Sequence, residues 1–233
     1  MTDRVIVALD FESTNEALAL VEALGAECCA YKVGLQMLVS EGPDLVRTLV
    51  AQGKNIFLDL KTHEIPNSVA GAVRAAGKLG ASMVTVHASG GSAVLHSAVA
   101  AAAAFPRLKV LALTVITSLR DEDLPEIGLA PSVERQVLRL AQLAAGSGCH
   151  GVVASAHEAR ALASVLPAGT LIVVPGIQLT GSAGSDQART SSPQFAQEAG
   201  VTHIVIGRAI TAAQSPKQAF REAALAFSHR SDA

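Results

Sequence analysis

Eight short runs of apolar, largely β-branched residues recur along the chain at nearly even intervals, and this repetition constrains the fold more than any other feature. Most runs are continuously apolar rather than alternating, which is typical of strands in a parallel sheet covered on both faces. The runs are Val5–Asp10, Ala30–Gly34, Asn55–Lys61, Met83–Ala88, Lys109–Ile116, Gly151–Ser155, Leu171–Gly176 and His203–Arg208.

A segment with helical character follows each run. The segment Pro66–Leu79, for example, starts with a proline in its first turn and stops before Gly80. The other predicted helices are Thr14–Leu24, Pro43–Gln52, Ala93–Ala104, Ser132–Ala145, Ala156–Leu166, Pro193–Ala199 and Pro216–Phe227. Eight strand–helix units in 233 residues, with no linker or change in composition, predict one (β/α)₈ barrel (TIM-barrel) domain over residues 1–233. The alternative is an open doubly wound sheet, but no Gly-x-Gly-x-x-Gly follows the first run.

Composition limits the classes of partner. With 18 Lys+Arg, 20 Asp+Glu and a net charge of −2, nothing favours nucleic acid or an anionic membrane. No apolar segment forms a signal peptide or reaches the roughly 20 residues that span a bilayer. The spacing of Cys28, Cys29 and Cys149 fits neither disulfides nor a metal site, so we expect free thiols in a cytoplasmic protein. The low charged fraction of 16% favours a second copy of the chain as a partner.

Two long connections follow the fifth and seventh predicted strands, at Ser118–Pro131 and Gln178–Ser192. Both lie on the carboxyl-terminal side of the barrel, where barrel enzymes carry their chemistry. The second is rich in Gly, Ser and Thr, and we expect it to act as a mobile lid.

Charged residues stand at the carboxyl ends of strands whose interiors are apolar. Asp59 and Lys61 are two apart on one strand and therefore point to the same side. Glu64 follows in the loop, and Lys32 comes from the neighbouring strand. Because buried ion pairs rarely improve on apolar packing, their collection at one mouth favours a functional cluster over a self-neutralising salt-bridge network.

The ends of the seventh and eighth strands suggest a phosphate site. Pro175-Gly176 ends one, and Gly207-Arg208 ends the other. Loops at these positions often bind phosphate through backbone N–H groups and a nearby cation, and arginine presents a planar fork to phosphate oxygens. We expect a phosphorylated small-molecule substrate, and the alternative is a rim arginine paired with a carboxylate.

Histidine spacing does not predict a metal site. His63 is next to Glu64 and His87 ends the fourth strand, but neither belongs to a His-x-x-x-His pair or a carboxylate cluster. We therefore expect no bound metal.

The segment Asp59–Ser68 resembles the Asp-x-Lys-x-x-Asp-Ile-Pro-Asn-Thr signature of the orotidine 5′-phosphate decarboxylase family. The resemblance extends over nearly the whole chain, and its order and spacing are similar to those of the bacterial form. The further matching motifs are Val7-Ala8-Leu9-Asp10, Lys32-Val33-Gly34, His87-Ala88-Ser89-Gly90-Gly91, Leu113–Ser118, Pro175-Gly176-Ile177, Asp186-Gln187 and Ile206-Gly207-Arg208.

The resemblance implies decarboxylation of orotidine 5′-monophosphate to uridine 5′-monophosphate (UMP), the last step of de novo UMP biosynthesis, without a cofactor. Lys61 would donate a proton to C6 of the pyrimidine. Lys32, Asp59 and Glu64 would complete the charged array, with Glu64 reaching the partner subunit's site in a homodimer.

A substrate-binding set is also implied by the resemblance. Asp10 and Lys32 would bind ribose hydroxyls, Ser118 would meet the base edge, and Gln187 would link base and phosphate from the lid. The full set is Asp10, Lys32, Asp59, Ile65, Ser68, Thr117, Ser118, Pro175, Gln178, Gln187, Gly207 and Arg208.

Two residues depart from the family pattern. Glu64 stands where the signature has aspartate, which adds one methylene where geometry is expected to be tight. Gln178 stands where many bacterial relatives have arginine, so Arg208 is left as the main charge partner of the phosphate.

Two alternative functions remain open at this point. One is a Mg²⁺-dependent sugar-phosphate decarboxylase or aldolase of the same barrel group, in which an acidic residue stands where this chain has Lys32. The other is a non-catalytic binder of a phosphate ligand.

Overall fold

Eight parallel strands form a closed barrel in sequence order. The computed structural model describes residues 3–179 and 189–228. The first strand pairs with the eighth and thereby closes the sheet, as the (β/α)₈ prediction requires, so that prediction is confirmed. The strands are β1 (Val5–Ala8), β2 (Ala30–Gly34), β3 (Asn55–Thr62), β4 (Met83–His87), β5 (Lys109–Leu113), β6 (Gly151–Val153), β7 (Leu171–Val174) and β8 (His203–Ile206).

Helices alternate with the strands, and all eight predicted helical segments are present. Within the described residues, two short α-helices that were not predicted, α2 (Leu35–Glu41) and α9 (Arg208–Thr211), follow β2 and β8. The helices are α1 (Thr14–Leu24), α2 (Leu35–Glu41), α3 (Asp44–Ala51), α4 (Pro66–Lys78), α5 (Ser92–Ala102), α6 (Val133–Gly146), α7 (Ala156–Val165), α8 (Pro193–Glu198), α9 (Arg208–Thr211) and α10 (Pro216–Ser228). Several predicted strands were too long at their carboxyl ends, because those residues leave the ladder and enter the connections that follow or, at Arg208, begin helix α9.

Two apolar clusters hold the barrel together, one on each face of the sheet. The larger one packs outward-facing strand residues such as Val7 and Ile56 with helix residues such as Leu20 and Leu49. The smaller one fills the barrel interior with every second residue of the strands. Its buried members are Ile6, Ala8, Ala30, Phe57, Leu111, Leu113, Val153, Val173 and Val205.

The inward-facing series continues into the polar residues at the carboxyl-terminal mouth. Lys32 lies two residues after the interior residue Ala30, and Asp59 lies two residues after Phe57. Because side chains alternate along a strand, the same parity that fills the barrel with apolar groups aims these charges into its mouth.

Strand β3 carries an irregularity next to this mouth. Leu58 pairs with Val84 and Thr62 pairs with Val86, so the three residues from 59 to 61 lie opposite Thr85 alone. Lys61 has φ of 48°, and no other described residue except glycine has a positive φ. Such a conformation costs an L-residue about 1–2 kcal/mol. Asp59 and Lys61 therefore converge through a bulge and not through the regular alternation that the sequence suggested.

Two further sequence expectations concern the length of the helices and the chemical state of the cysteines. No helix within residues 3–179 and 189–228 is long and apolar enough to cross a membrane. None of the three cysteines, all of which are described, forms a disulfide. Burial raises the pKa of Cys28 to about 11 and that of Cys149 to about 12, so both are neutral thiols at pH 7.

We predict that Gly151→Ala destabilises the barrel. A Cβ at Gly151 would lie 2.5 Å from Leu171 Cβ and 2.6 Å from the Leu171 carbonyl oxygen, and neither atom can rotate away. Overpacking of this kind costs about 1–3 kcal/mol, or roughly 2–10 °C in Tm for a chain of this size. Far-UV circular dichroism during heating measures the change in Tm, and it is preferred to fluorescence because the chain has no tryptophan and one tyrosine.

The matched control is Gly71→Ala in α4, where the nearest atom is Arg74 Nη2 at 3.9 Å. Relief of the entropic cost of a helical glycine should stabilise this variant by about 0.5–1 kcal/mol. An equal Tm for Gly151→Ala and the wild type would contradict the packing argument.

Candidate active site

A cavity of about 540 Å³ opens at the carboxyl-terminal mouth of the barrel. The interior residues Phe57, Leu113, Val153 and Val205 form its apolar floor. Polar residues from the ends of the strands surround this floor: Asp10, Lys32, Asp59, Lys61, Thr117, Gln178 and Arg208. An apolar floor with a few converging polar groups is typical of a site for a small molecule.

Four charges of alternating sign form a connected array on one side of the cavity. Lys61 Nζ lies 2.5 Å from Asp59 Oδ2, and Lys32 Nζ lies 3.9 Å from the same oxygen. Lys32 Nζ also donates to Asp10 Oδ1 at 2.9 Å. The side chains of Asp59 and Lys32 are only 11% and 12% exposed, whereas that of Lys61 is 41% exposed. Lys61 is therefore the more accessible ammonium group, held in place by a shielded carboxylate.

Glu64 does not join this array within the same chain. Its side chain is exposed, does not line the cavity, and makes no hydrogen bond or ion pair with another described residue. Ile65, which is 63% exposed, and the exposed Ser68 also lie outside the cavity lining. The chain after β3 carries these three residues to the surface beside the mouth.

Several other predicted site residues line the cavity wall. They are Asp10, Thr117, Pro175, Gln178, Gly207 and Arg208. The backbone N–H of Leu119 donates to the carbonyl of Ile116, which closes a turn around Thr117 and Ser118. Thr117 is buried in this turn, whereas Ser118 is exposed and outside the lining, so the structure does not place Ser118 in the cavity of this chain. Gln187 lies outside the described residues.

The long connection after β7 starts and ends on the barrel. Gln178 N–H donates to the Ser191 carbonyl, and Ser191 N–H donates to the Gly176 carbonyl. Arg189 forms an ion pair with Glu158 in which both side chains are largely buried, at 13% and 7% exposure. The two ends of the connection are thus fixed beside the cavity.

Among the described residues, sequence reasoning missed two polar side chains that line the cavity, those of Gln36 and Thr211. They lie on and at the end of the short helices α2 and α9, which have too few residues to show a helical period. It also missed the Arg189–Glu158 pair, because both residues look like ordinary surface charges in the sequence.

Two histidines and a serine lie next to Lys61. The rings of His63 and His87 stack with centroids 5.0 Å apart, and Ser89 Oγ lies 2.6 Å from His87 Nδ1. Burial, followed by the proximity of His63 and of the Lys61 charge, lowers the pKa of His87 below its usual value. His87 is therefore neutral at pH 7.

The array is suited to proton transfer and to stabilisation of negative charge. A fixed ammonium group at the edge of a partly dry cavity lowers the energy of an adjacent carbanion and can then protonate it. Among the described residues, no three His, Cys, Asp or Glu side chains are grouped so that they could hold a metal ion. The ammonium of Lys32 lies between the carboxylates of Asp10 and Asp59, where a cation would otherwise bind.

Comparison with known proteins places the chain in a sequence family. The family model described as "Orotidine 5′-phosphate decarboxylase / HUMPS family" matches residues 3–223. A protein of Alkalilimnicola ehrlichii named orotidine 5′-phosphate decarboxylase is 48% identical over 214 residues, 91% of each chain. A protein of the same name from Anaeromyxobacter is 43% identical over 94% of this chain and 96% of its own.

Solved structures agree with this assignment. Orotidine 5′-phosphate decarboxylase from Lactobacillus acidophilus superposes with a TM-score of 0.87 at 35% identity, over 98% of this chain and 100% of its own. An uncharacterized conserved protein from Geobacillus kaustophilus superposes with a TM-score of 0.84 at 31% identity, over 96% and 99% of the two chains.

We predict that His87 makes the folded chain less stable in mild acid. The unfolded chain binds a proton at this residue near pH 6.5, whereas the folded chain resists it because the folded-state pKa is lower. The free energy of unfolding should therefore fall as the pH drops below about 6.5, by at most about 1.4 kcal/mol per pH unit for one histidine. Denaturant unfolding followed across this pH range measures the slope.

Two variants isolate this contribution. His87→Gln should reduce the slope, and what is left comes from His150 and His203, whose pKa values are also lowered by burial. His96→Gln is the control, because His96 is exposed in the folded chain as in the unfolded one. A slope equal to that of the wild type in His87→Gln would refute the prediction.

Proposed function

The chain belongs to the orotidine 5′-phosphate decarboxylase / HUMPS family, and we propose that it decarboxylates orotidine 5′-monophosphate to UMP, the last step of de novo UMP biosynthesis. The observation that carries this proposal is the Lys61–Asp59–Lys32 array at the mouth of the barrel. The name shared by the relatives at 43–48% identity supports it.

Lys61 acts as the proton donor in this proposal. The bond between C6 and the carboxylate breaks, CO₂ leaves, and the electron pair stays on C6 in an sp² orbital that no adjacent carbonyl delocalises. The ammonium of Lys61 stabilises this charge and transfers a proton to C6, and solvent reprotonates the amine. Every step uses the side chain and water, so the reaction requires no cofactor.

Asp59 and Lys32 organise the donor. The Asp59 carboxylate holds the Lys61 ammonium at 2.5 Å, and its shielding from solvent strengthens that interaction. Lys32 offsets the charge of Asp59 from the other side and connects it to Asp10. Together they leave Lys61 little freedom, which is what a positioned acid needs.

The rest of the cavity binds the substrate away from the reacting carbon. Arg208 and the backbone at Gly176 and Gly207 would hold the phosphate, with Gln178 as a neutral hydrogen-bonding partner. Asp10 and Lys32 would bind ribose hydroxyls, as in the family. Binding energy gained at the phosphate then positions the base against Lys61.

Lys32 disfavours the Mg²⁺-dependent alternative. Its ammonium lies 2.9 Å from Asp10 and 3.9 Å from Asp59. A divalent cation bound by these two carboxylates would have to displace Lys32 or accept its repulsion. No observation in the site favours a non-catalytic binder.

We further propose that the active form is a homodimer in which Glu64 enters the partner subunit's site. Glu64 has no partner within the described part of its own chain. Large apolar side chains after the two neighbouring strands β2 and β3 are exposed: Leu35 and Val39 on α2 are 58% and 78% exposed, and Ile65, next to Glu64, is 63% exposed. Exposed apolar side chains of this size are typical of a surface that a partner covers.

Two broader assignments also stay proposals. We propose that the chain is one domain, because β1 from the start of the chain and β8 from its end close the same barrel. We propose a cytoplasmic location, because none of its three cysteines forms a disulfide.

We predict that Lys61→Ala lowers kcat by more than about a thousandfold, because it removes both the proton donor and the positive charge beside C6. The loss of orotidine 5′-monophosphate absorbance measures turnover directly. The assay contains EDTA, because inhibition of the wild type by this chelator would favour the metal-dependent alternative. Lys78→Ala, which removes an exposed lysine of α4, is the matched control. Full activity in Lys61→Ala would exclude Lys61 as the donor.

We predict that mixing Lys61→Ala chains with Glu64→Ala chains restores activity that neither variant has alone. In a hybrid dimer, Lys61 of one chain meets Glu64 of the other and completes one site. Random exchange would give about a quarter of wild-type activity, because about half of the dimers are hybrids with one intact site. Without restored activity in dimers shown to be hybrid, Glu64 does not act across the interface.

A further inference from the structure

The bulge in β3 leaves Thr85 of β4 alone opposite three residues. Thr85 is fully buried in the middle of a strand whose neighbouring residues Val84 and Val86 are apolar. Its hydroxyl has two partners, both on the bulge: the Lys61 backbone N–H at 2.9 Å and Asp59 Oδ1 at 2.9 Å. The side chain thus replaces ladder hydrogen bonds that the bulge interrupts.

The direction of these two hydrogen bonds follows from the groups involved. A backbone N–H only donates, so the Thr85 oxygen must accept from Lys61. The single hydroxyl proton is then left for Asp59 Oδ1. The other oxygen of the same carboxylate, Oδ2, holds Lys61 Nζ. Backbone N–H, hydroxyl, carboxylate and ammonium therefore form a closed ring that begins and ends on Lys61.

We propose that Thr85 is a positioning residue for the decarboxylation. Its hydroxyl holds Lys61 in the left-handed backbone conformation and fixes the rotation of the Asp59 carboxylate, so that the ammonium points into the cavity. Thr85 does not line the cavity and therefore does not touch the substrate. The inference rests on the proposed roles of Lys61 and Asp59.

The ring gives Thr85 a specific effect on turnover. Left-handed backbone at a non-glycine residue persists only where its surroundings impose it. Without the hydroxyl, the Lys61 N–H and Asp59 Oδ1 both lose a hydrogen-bond partner in a partly buried place, and the backbone at Lys61 can relax. Arg208 and Gly207, which would hold the phosphate, follow β8, which lies three strands around the barrel from the bulge in β3.

The test compares Thr85→Val with Thr85→Ser. Valine keeps the shape and the branched Cβ but removes the hydroxyl, whereas serine keeps the hydroxyl and loses a methyl group. We expect Thr85→Val to lower kcat by about 10- to 100-fold, as for a misplaced catalytic group, with KM within about threefold of wild type. Thr85→Ser should keep kcat within about threefold.

A second readout follows the proton transfer alone. By microscopic reversibility, Lys61 exchanges the C6 proton of UMP with D₂O, and proton NMR follows this exchange. We expect Thr85→Val to slow the exchange in parallel with kcat while UMP binding, measured by calorimetry, is unchanged. A merely structural role would instead reduce kcat and the number of UMP-binding sites together and leave the exchange per site unaltered.

The outcomes separate this inference from the proposed function. Wild-type kcat or wild-type exchange per site in Thr85→Val overturns the inference while leaving the function intact, and so does an equal loss in Thr85→Ser. If Thr85→Val does not fold, Thr85→Ala, which relieves the packing and also lacks the hydroxyl, decides by the same criteria. A wild-type protein that does not decarboxylate orotidine 5′-monophosphate refutes the function and the inference together.

Discussion

The interaction on which the site depends is the contact between the Asp59 carboxylate and the Lys61 ammonium at the mouth of the barrel. Neither group is held by this contact alone. Lys32 approaches the carboxylate from one side, and Thr85 donates to its other oxygen. Because both oxygens of Asp59 are engaged, the carboxylate cannot rotate freely, and the ammonium it holds has a defined place.

The barrel makes this arrangement possible by dividing its interior into two zones. The lower zone is packed with apolar side chains such as Phe57 and Leu111, and the inward-facing residues above it are charged. Burial is costly for a charge unless a partner is present, so the array of alternating signs is also a condition for stability. The structure thus places these charges, which would be costly to bury alone, at the ends of hydrogen-bonded strands.

In the proposed homodimer, one chain would supply most of a site and its partner the rest. Glu64, the carboxylate proposed to enter the partner's site, is at the surface, next to apolar side chains such as Ile65 that a single chain leaves exposed. The proposed homodimer accounts for both observations at once.

How much the sequence predicts differs between the fold and the site. Eight apolar runs with helical segments between them were enough for the barrel, and strand parity was enough to bring Lys32 and Asp59 to one mouth, whereas Lys61 reaches it through the bulge in β3. These signals are local and periodic, and they can be recognised in the sequence because each depends on residues two to four positions apart. The resemblance to a family then supplied roles that no periodicity contains.

The tertiary structure alone decided the features that depend on residues far apart in the chain. The bulge at Lys61, the hydroxyl of Thr85 opposite it and the buried Arg189–Glu158 pair have no periodic signature. The exclusion of Ser118 from the cavity also arises from a turn, which strand parity does not describe. Sequence determines which side of a strand a residue occupies, but only packing determines which distant residue it meets there, because that pairing depends on the register between strands.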